Sequence, residues 1–168
     1  MSRHGTTPYF EGNVYSRVGS SQTFCNPNMN TSELQKKALQ TTEPLLDEKG
    51  YISFVDVFMK LGYLDVKNYE KWRRGQVPYL EKVINLNLKK ISLIVKSVKS
   101  NCEQGSLRAS KTVYKSWGKG SSRLLKFSKS GESNIEDVYS THFLRPKEKQ
   151  KKAEPEHTQV QEQRAKID

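Results

Sequence analysis

Residues 69–82 read YEKWRRGQVPYLEK, and this stretch determines how the middle of the chain is arranged. Asp65 is a suitable N-cap for a helix entering the stretch, and Gly75 is suited to end that helix in the left-handed conformation. Pro78 then favours a new helix start, because its missing N–H costs nothing in a first turn. We therefore predict a helix, a tight corner and a second helix.

The helix before the corner has two sides of different character. Val66, Tyr69 and Trp72 share the side that we expect to pack in the core. The opposite side carries basic residues at positions i, i+4 and i+7, a set that we call the basic strip: Lys67, Lys71 and Arg74.

A short helix precedes this one. Ser53 and Asp56 form a variant of the capping box, and Gly62 stands where the helix should end. Its apolar side consists of Phe54, Val57, Phe58 and Leu61. Only three residues separate it from the next helix, so the pair resembles a helix-turn-helix.

The first helical segment is less regular. Ser32 is expected to cap a helix through residues 33–40, and Pro44 should interrupt the pattern. The apolar side is modest and consists of Leu34, Ala38, Leu45 and Leu46.

The longest predicted helix covers about residues 78–102. Its apolar residues recur at spacings of three and four, which indicates a single buried face. That face consists of Leu80, Ile84, Leu88, Ile91, Val95, Val98 and Cys102.

Residues 107–131 change to the pattern of two short β-runs around GKGSS at residues 118–122, which predicts a basic β-hairpin. No acidic residue occurs between Glu103 and Glu132. The basic residues of this segment are Arg108, Lys111, Lys115, Lys119, Arg123, Lys126 and Lys129. A last helix is then expected to begin with a capping pair, Asn134 and Asp137, and to bury Ile135, Val138, Tyr139 and Phe143.

These elements predict an α+β fold that is mostly α. Because only 34% of the 168 residues are hydrophobic, we do not expect the whole chain to contribute to one core. We predict a disordered leader at 1–31, a single basic folded domain at 32–144 and a disordered charged tail at 145–168.

The net charge of +11 is concentrated in the middle of the chain. Residues 51–147 hold nineteen basic and eight acidic side chains, whereas residues 1–50 and 148–168 each hold five of either sign. A concentrated positive field favours a polyanionic partner.

The order of short motifs resembles that of a group of small uncharacterised bacterial proteins. The motifs are KGYISFVDVFMKLGYL at 49–64, YEKWRRGQVPYLEKV at 69–83, YKSWGKG at 114–120 and LLKFSKSGESNIEDVYSTHF at 124–143. The resemblance implies one folded unit over about residues 49–143, and it implies no activity, ligand or site residue.

The residues supply no catalytic or metal-binding pattern, so we expect no enzyme and no cofactor. GKGSS lacks the glycine spacing of a phosphate-binding loop, and His142 at a late helical position is expected to be structural. The neighbouring Glu136 and Asp137 fit a helix start. Cys25 and Cys102 are expected to be reduced, with no metal between them. With no apolar run long enough for a membrane span and no signal peptide, we expect a cytoplasmic protein.

The leading functional expectation is a non-enzymatic nucleic-acid-binding protein, with DNA slightly favoured over RNA. The predicted contacts are Lys67, Lys71, Arg73 and Arg74 on the helix, and Arg108, Lys111, Lys115, Trp117, Lys119, Arg123, Lys126 and Lys129 on the hairpin. In this hypothesis Trp117 either stacks on a base or packs in the core. The alternative is an adaptor module that docks on an acidic protein.

Overall fold

The structure is a computed structural model of the chain, and it describes residues 29–118 and 122–146. Cys25, Lys119 and nearly all of the predicted leader and tail lie outside these residues. The described part has the predicted α+β fold, mostly helical with one small antiparallel sheet.

The order of elements places a three-stranded sheet among helices. The helices are α1 (Thr31–Gln40), α2 (Thr42–Lys49), α3 (Phe54–Lys60), α4 (Val66–Arg73), a 3₁₀ helix (Leu80–Val83), α5 (Leu88–Gln104) and α6 (Ser133–Ser140). The strands are β1 (Tyr51–Ile52), β2 (Arg108–Lys111) and β3 (Thr141–Leu144). The last strand, β3, is central and pairs antiparallel with both others, so Phe143 lies between Ile52 and Ala109.

The start of α1 differs from the prediction by two residues. Asn30, not Ser32, is the N-cap, and its side-chain oxygen accepts a hydrogen bond from the Glu33 N–H at 2.9 Å. Pro44 lies in the first turn of α2, where a missing N–H is tolerated. The predicted apolar side is confirmed, since Leu34, Ala38, Leu45 and Leu46 are all buried.

Both helices of the α3–α4 pair begin at the predicted caps. The Ser53 hydroxyl accepts the Asp56 N–H at 3.1 Å, and the Asp65 carboxylate accepts the Asn68 N–H at 2.8 Å. The local cap signals were therefore sufficient to place both helix starts.

Both helices also end in the same way, at a glycine with positive φ. Gly62 has φ 79° and Gly75 has φ 70°, as predicted for residues that follow a helix C-terminus. The next residue in each case closes a Schellman motif, with the Tyr63 N–H donating to Phe58 and the Gln76 N–H donating to Lys71.

The predicted helix over 78–102 is wrong, because the chain is extended between two shorter helices. Ile84 has φ −81° and ψ 122°, and Asn87 caps α5 by accepting the Lys90 N–H at 2.9 Å. Leu88 is 57% exposed and does not belong to the core. The other predicted core residues of this segment are buried: Leu80, Ile84, Ile91, Val95, Val98 and Cys102.

The end of the folded region also differs from the prediction. The N-cap of α6 is Glu132, without a side-chain hydrogen bond, so the expected Asn134–Asp137 cap is wrong. Tyr139 is buried on α6 as predicted, whereas Phe143 is buried as a residue of β3. The helical spacing of Phe143 from Tyr139 is therefore coincidental.

The predicted hairpin is present only in part, because its described residues after Lys111 form no regular strand. Lys115 forms an isolated antiparallel bridge with Leu124, and we use the term basic hairpin for residues 113–117 and 122–126 around it. The preceding Arg108–Lys111 segment pairs with β3 instead. The chain thus changes its pairing partner near Val113.

Candidate nucleic-acid interface

The candidate interface is built on α4, whose two sides are separated largely as predicted. Tyr69 and Trp72 are buried, and Trp72 is 0% exposed. Val66 is 44% exposed, so its assignment to the core is wrong; it lies in the first turn of α4, which the core does not cover. The basic strip of Lys67, Lys71 and Arg74 is exposed.

One segment of the basic hairpin, residues 113–117, alternates between exposed and less exposed side chains. The Ser116 N–H donates to the Arg123 carbonyl at 2.8 Å, and the Leu125 N–H donates to the Tyr114 carbonyl at 2.9 Å. Tyr114 and Leu125 are buried. The outward residues alternate between cations and apolar groups: Val113, Lys115, Trp117, Leu124 and Lys126.

Two hydrogen bonds attach this hairpin and its continuation to the end of α4. The Trp117 N–H donates to the Arg73 carbonyl at 2.6 Å. The indole N–H of Trp72 donates to the Lys126 carbonyl at 2.8 Å. Because helix-end carbonyls lack intrahelical partners, the first bond also satisfies an acceptor that α4 leaves open.

Arg73 lies within an aromatic group and strengthens the same attachment. Its Cζ atom is 4.7 Å from the ring centroid of Trp117, 5.3 Å from that of Tyr114 and 5.9 Å from that of Tyr69. These distances are suitable for cation–π attraction. Within the described part of the chain, the buried Arg73 Nε has no hydrogen-bond partner. The arrangement indicates that Arg73 acts mainly in holding α4 and the hairpin together.

Gly75 allows a second arginine to approach the corner. A Cβ atom at this position would lie 2.8 Å from Nη2 of Arg123 and 3.8 Å from Cβ of Ser116. The guanidinium of Arg123 therefore lies over the corner that follows the basic strip. Arg74 is exposed at the end of α4 and lies within 3.8 Å of the Glu70 carboxylate, an exposed pair of small energetic weight.

The remaining predicted contacts are more dispersed. Lys111 and Arg108 lie on β2, where Lys111 is paired with Asp137 at 2.5 Å. Lys126 lies close to Gly131, where an added Cβ would be 2.5 Å from its Cε. Lys129 is exposed in the following turn, and Lys119 lies outside the described residues. The structure therefore brings the α4 end and the hairpin together and leaves β2 as a separate basic segment of the same chain.

Two glutamates that the sequence analysis did not single out as organising residues fix the loop at 126–131. The Glu136 carboxylate accepts the N–H groups of Phe127 and Ser128, each at 2.8 Å. The Glu81 carboxylate accepts the Lys129 N–H at 3.1 Å and the Tyr139 hydroxyl at 2.9 Å. The interpretation of Glu136 as a helix-start residue was incomplete, because its carboxylate also organises a loop eight residues earlier.

A chain of polar side chains runs beneath the hairpin. The Tyr114 hydroxyl is 2.7 Å from Nε2 of His142, whose ring stacks on Tyr51 at 4.7 Å. Ser53 donates to the Asp56 carboxylate at 2.5 Å. Burial lowers the pKa of His142 to about 4, with Asp56 acting in the opposite direction and Lys49 adding to the lowering. Burial also raises the pKa of Tyr114.

This polar chain has the residue types of a catalytic site but not its accessibility. Ser53 is 1% exposed and its hydroxyl is used in capping α3, so a substrate cannot reach it in this conformation. His142 was predicted to be structural and on a helix; it lies on β3 instead. Among residues 29–118 and 122–146, no group of three or more His, Cys, Asp or Glu side chains is placed to hold a metal ion.

In the ranges that the structure covers, no helix has the length and apolar character required to cross a membrane. No protein-family model, curated protein or solved structure matches the chain.

Proposed function

We propose that this protein binds nucleic acid without catalysing a reaction, with DNA as the first polymer to consider and RNA as the second. The binding surface consists of the basic strip of α4 and the basic hairpin. The observation that carries the proposal is the hydrogen bond from the backbone N–H of Trp117 to the Arg73 carbonyl at 2.6 Å. It places two basic segments that are 44 positions apart in sequence next to each other.

Charge supports a polyphosphate ligand for this surface. No acidic residue occurs between Glu103 and Glu132, so the hairpin provides no carboxylate of its own to repel phosphates. Lys71, Arg74, Lys115 and Arg123 are exposed cations on the two joined segments. Such cations bind phosphates through charge and through the release of condensed counterions.

The geometry of α3 and α4 supports DNA in particular. The two helices are joined by a turn at Gly62–Leu64, and Tyr63 and Leu64 are buried within it. The second helix of a helix-turn-helix enters the major groove, and the corresponding helix here exposes Lys67 and Lys71. The basic hairpin beside it corresponds to a wing that holds the phosphate backbone.

The test is fluorescence anisotropy of labelled duplex DNA and a matched RNA, measured at several salt concentrations. We expect Lys71→Ala combined with Arg74→Ala to weaken binding to all sequences. The slope of log K against log salt should fall in magnitude by about 2, roughly one for each lost phosphate contact. The melting temperature should stay nearly constant, because both side chains are exposed.

A matched control is available on α1. Lys36→Ala combined with Lys37→Ala removes the same charge from exposed positions outside the proposed surface. If this control changes the slope as much as the α4 variant does, binding reflects net charge alone. Absence of binding to either polymer at low salt contradicts the proposal.

One observation favours the second candidate, an adaptor that docks on an acidic protein. Among the described residues, five large hydrophobic side chains are exposed, and three of them lie on the basic hairpin: Val113, Trp117 and Leu124. Apolar groups interspersed with cations also suit an acidic amphipathic segment. This candidate predicts binding to a synthetic peptide of alternating Glu and Leu, but not to the corresponding Lys–Leu peptide, with no binding to either nucleic acid.

A further inference from the structure

Trp117 is held in one orientation although much of its surface is exposed. Its side chain is 44% exposed. The Arg73 guanidinium lies over the ring at 4.7 Å, and the Tyr69 ring meets it at 88° with centroids 5.9 Å apart. Because Arg73 lies over one face of the indole, the opposite face is the one on which we expect a ligand to stack.

We propose that this opposite face of Trp117 is a stacking site for an unpaired base, so that Trp117 adds affinity for single-stranded nucleic acid and contributes little to duplex binding by the cations of α4. The proposal rests on the proposed function and names its ligand class. Aromatic side chains stack on any base, because every base has a π-face, and the ligand can therefore be single-stranded DNA or RNA.

The position of Arg73 makes the ring a better platform than an unsupported tryptophan. The Arg73 charge interacts with the face of the indole opposite to the proposed stacking face. The backbone N–H of Trp117 also donates to the Arg73 carbonyl at 2.6 Å. The cation–π contact restrains the ring itself, and the backbone bond fixes the main chain that carries it, both before a ligand arrives. A pre-oriented ring loses little conformational entropy when a base stacks on it, so more of the stacking energy contributes to affinity.

The neighbouring cations are placed to hold the backbone of such a strand. Lys115 lies two residues before Trp117 on the same outward side of the hairpin, and Leu124 lies opposite Lys115. Arg123 extends from the other strand of the hairpin towards Gly75. In a duplex the base faces are already stacked on one another, so only the cations can contribute there.

Trp117 is also an observable reporter, because the chain contains two tryptophans and the other, Trp72, is 0% exposed. We expect a labelled twelve-nucleotide oligo-dT or oligo-U to quench the exposed tryptophan. In the full chain, Trp117→Leu should lower the affinity for both single strands about tenfold and change duplex affinity less than about twofold. Trp117→Phe, which keeps a π-face, should retain most of the affinity.

Leu124→Ser is the matched control, since it removes an exposed apolar side chain from the same hairpin. It should lower single-strand affinity much less than Trp117→Leu does, because it removes no π-face. A loss equal to that of Trp117→Leu overturns the proposal in favour of apolar docking, as does an equal loss of single-strand and duplex binding in Trp117→Leu. Thermal melting of each variant verifies that it is folded.

The outcomes separate this inference from the proposed function. If the Lys71/Arg74 variant weakens all binding and Trp117→Leu changes none, the interface stands and base stacking is refuted. If no polymer binds the wild-type chain at low salt, both proposals fail. Binding of the Glu–Leu peptide alone assigns the same surface to an acidic protein and likewise overturns the stacking site.

Discussion

Replacing Gly75 by alanine tests whether the corner after α4 controls both stability and binding. Gly75 has φ 70°, a conformation that costs an L-residue roughly 1–2 kcal/mol. The alanine also restricts the unfolded chain, which returns about 0.5–1 kcal/mol to the folded state. The net expectation is a loss of about 1 kcal/mol, which corresponds to a fall of about 4 °C in melting temperature.

A second consequence comes from Arg123. The new Cβ would lie 2.8 Å from its Nη2 atom, so the guanidinium must move. This movement has a small cost in stability because the atom is the end of a flexible side chain. It should nevertheless reduce the magnitude of the salt slope for nucleic-acid binding by up to about 1, as expected for one phosphate contact.

Gly50 provides the matched control. Its φ is 76°, and an added Cβ would have no heavy atom within 4 Å. Gly50→Ala should therefore lose a similar amount of stability and leave the salt slope unchanged. Thermal melting by circular dichroism measures the first effect, and anisotropy at several salt concentrations measures the second. A melting temperature that falls for Gly50→Ala but not for Gly75→Ala would refute the reasoning about the corner.

Two further predictions concern buried groups. Trp72→Ala should lower the free energy of unfolding, measured by urea denaturation, by roughly 3–5 kcal/mol, because it empties a large core site and removes the indole donor to the Lys126 carbonyl. Trp72→Phe should lower it clearly less. The pKa of His142 is lowered to about 4 in the folded chain from an ordinary value of 6.5. Between these pH values the unfolded chain carries the His142 proton and the folded chain does not, so the free energy of unfolding should rise as the pH increases from about 4 to 6.5. The full shift corresponds to about 3 kcal/mol, and partial exposure reduces our expectation to about 1–2 kcal/mol. His142→Gln should lack this part of the rise, and an identical pH dependence in variant and wild type would contradict the linkage.

The parts of the fold that were predicted correctly have local causes. Asp65 and Gly75 act on backbone groups within a few residues of themselves, so their sequence positions suffice to place the ends of α4. The long helix over 78–102 was predicted wrongly because Ile84 contributes to the core from an extended segment and preserves the helical spacing by chance. Asn87 was the available signal for a new helix start, and its capping role was missed.

The candidate site was less predictable because its organisation is non-local. Nothing near Arg73 in sequence indicates that its side chain lies over Trp117 and Tyr114. The pairing of β2 with β3 likewise joins segments separated by α6 and the hairpin, and a four-residue strand adjoining a helix leaves no distinct periodicity.

Adjacent residues at the end of α4 therefore have different roles: some hold the basic hairpin in place and others are exposed on the proposed binding surface. Trp72 and Arg73 point towards the hairpin and hold it through the Lys126 carbonyl and the Trp117 ring. Lys71 and Arg74, on either side of them, remain exposed. Because successive helical residues point about 100° apart, Lys71 and Arg74 share one side of α4 and Trp72 and Arg73 the other. Substitutions along 71–74 should therefore affect either stability or binding, according to the side on which each residue lies.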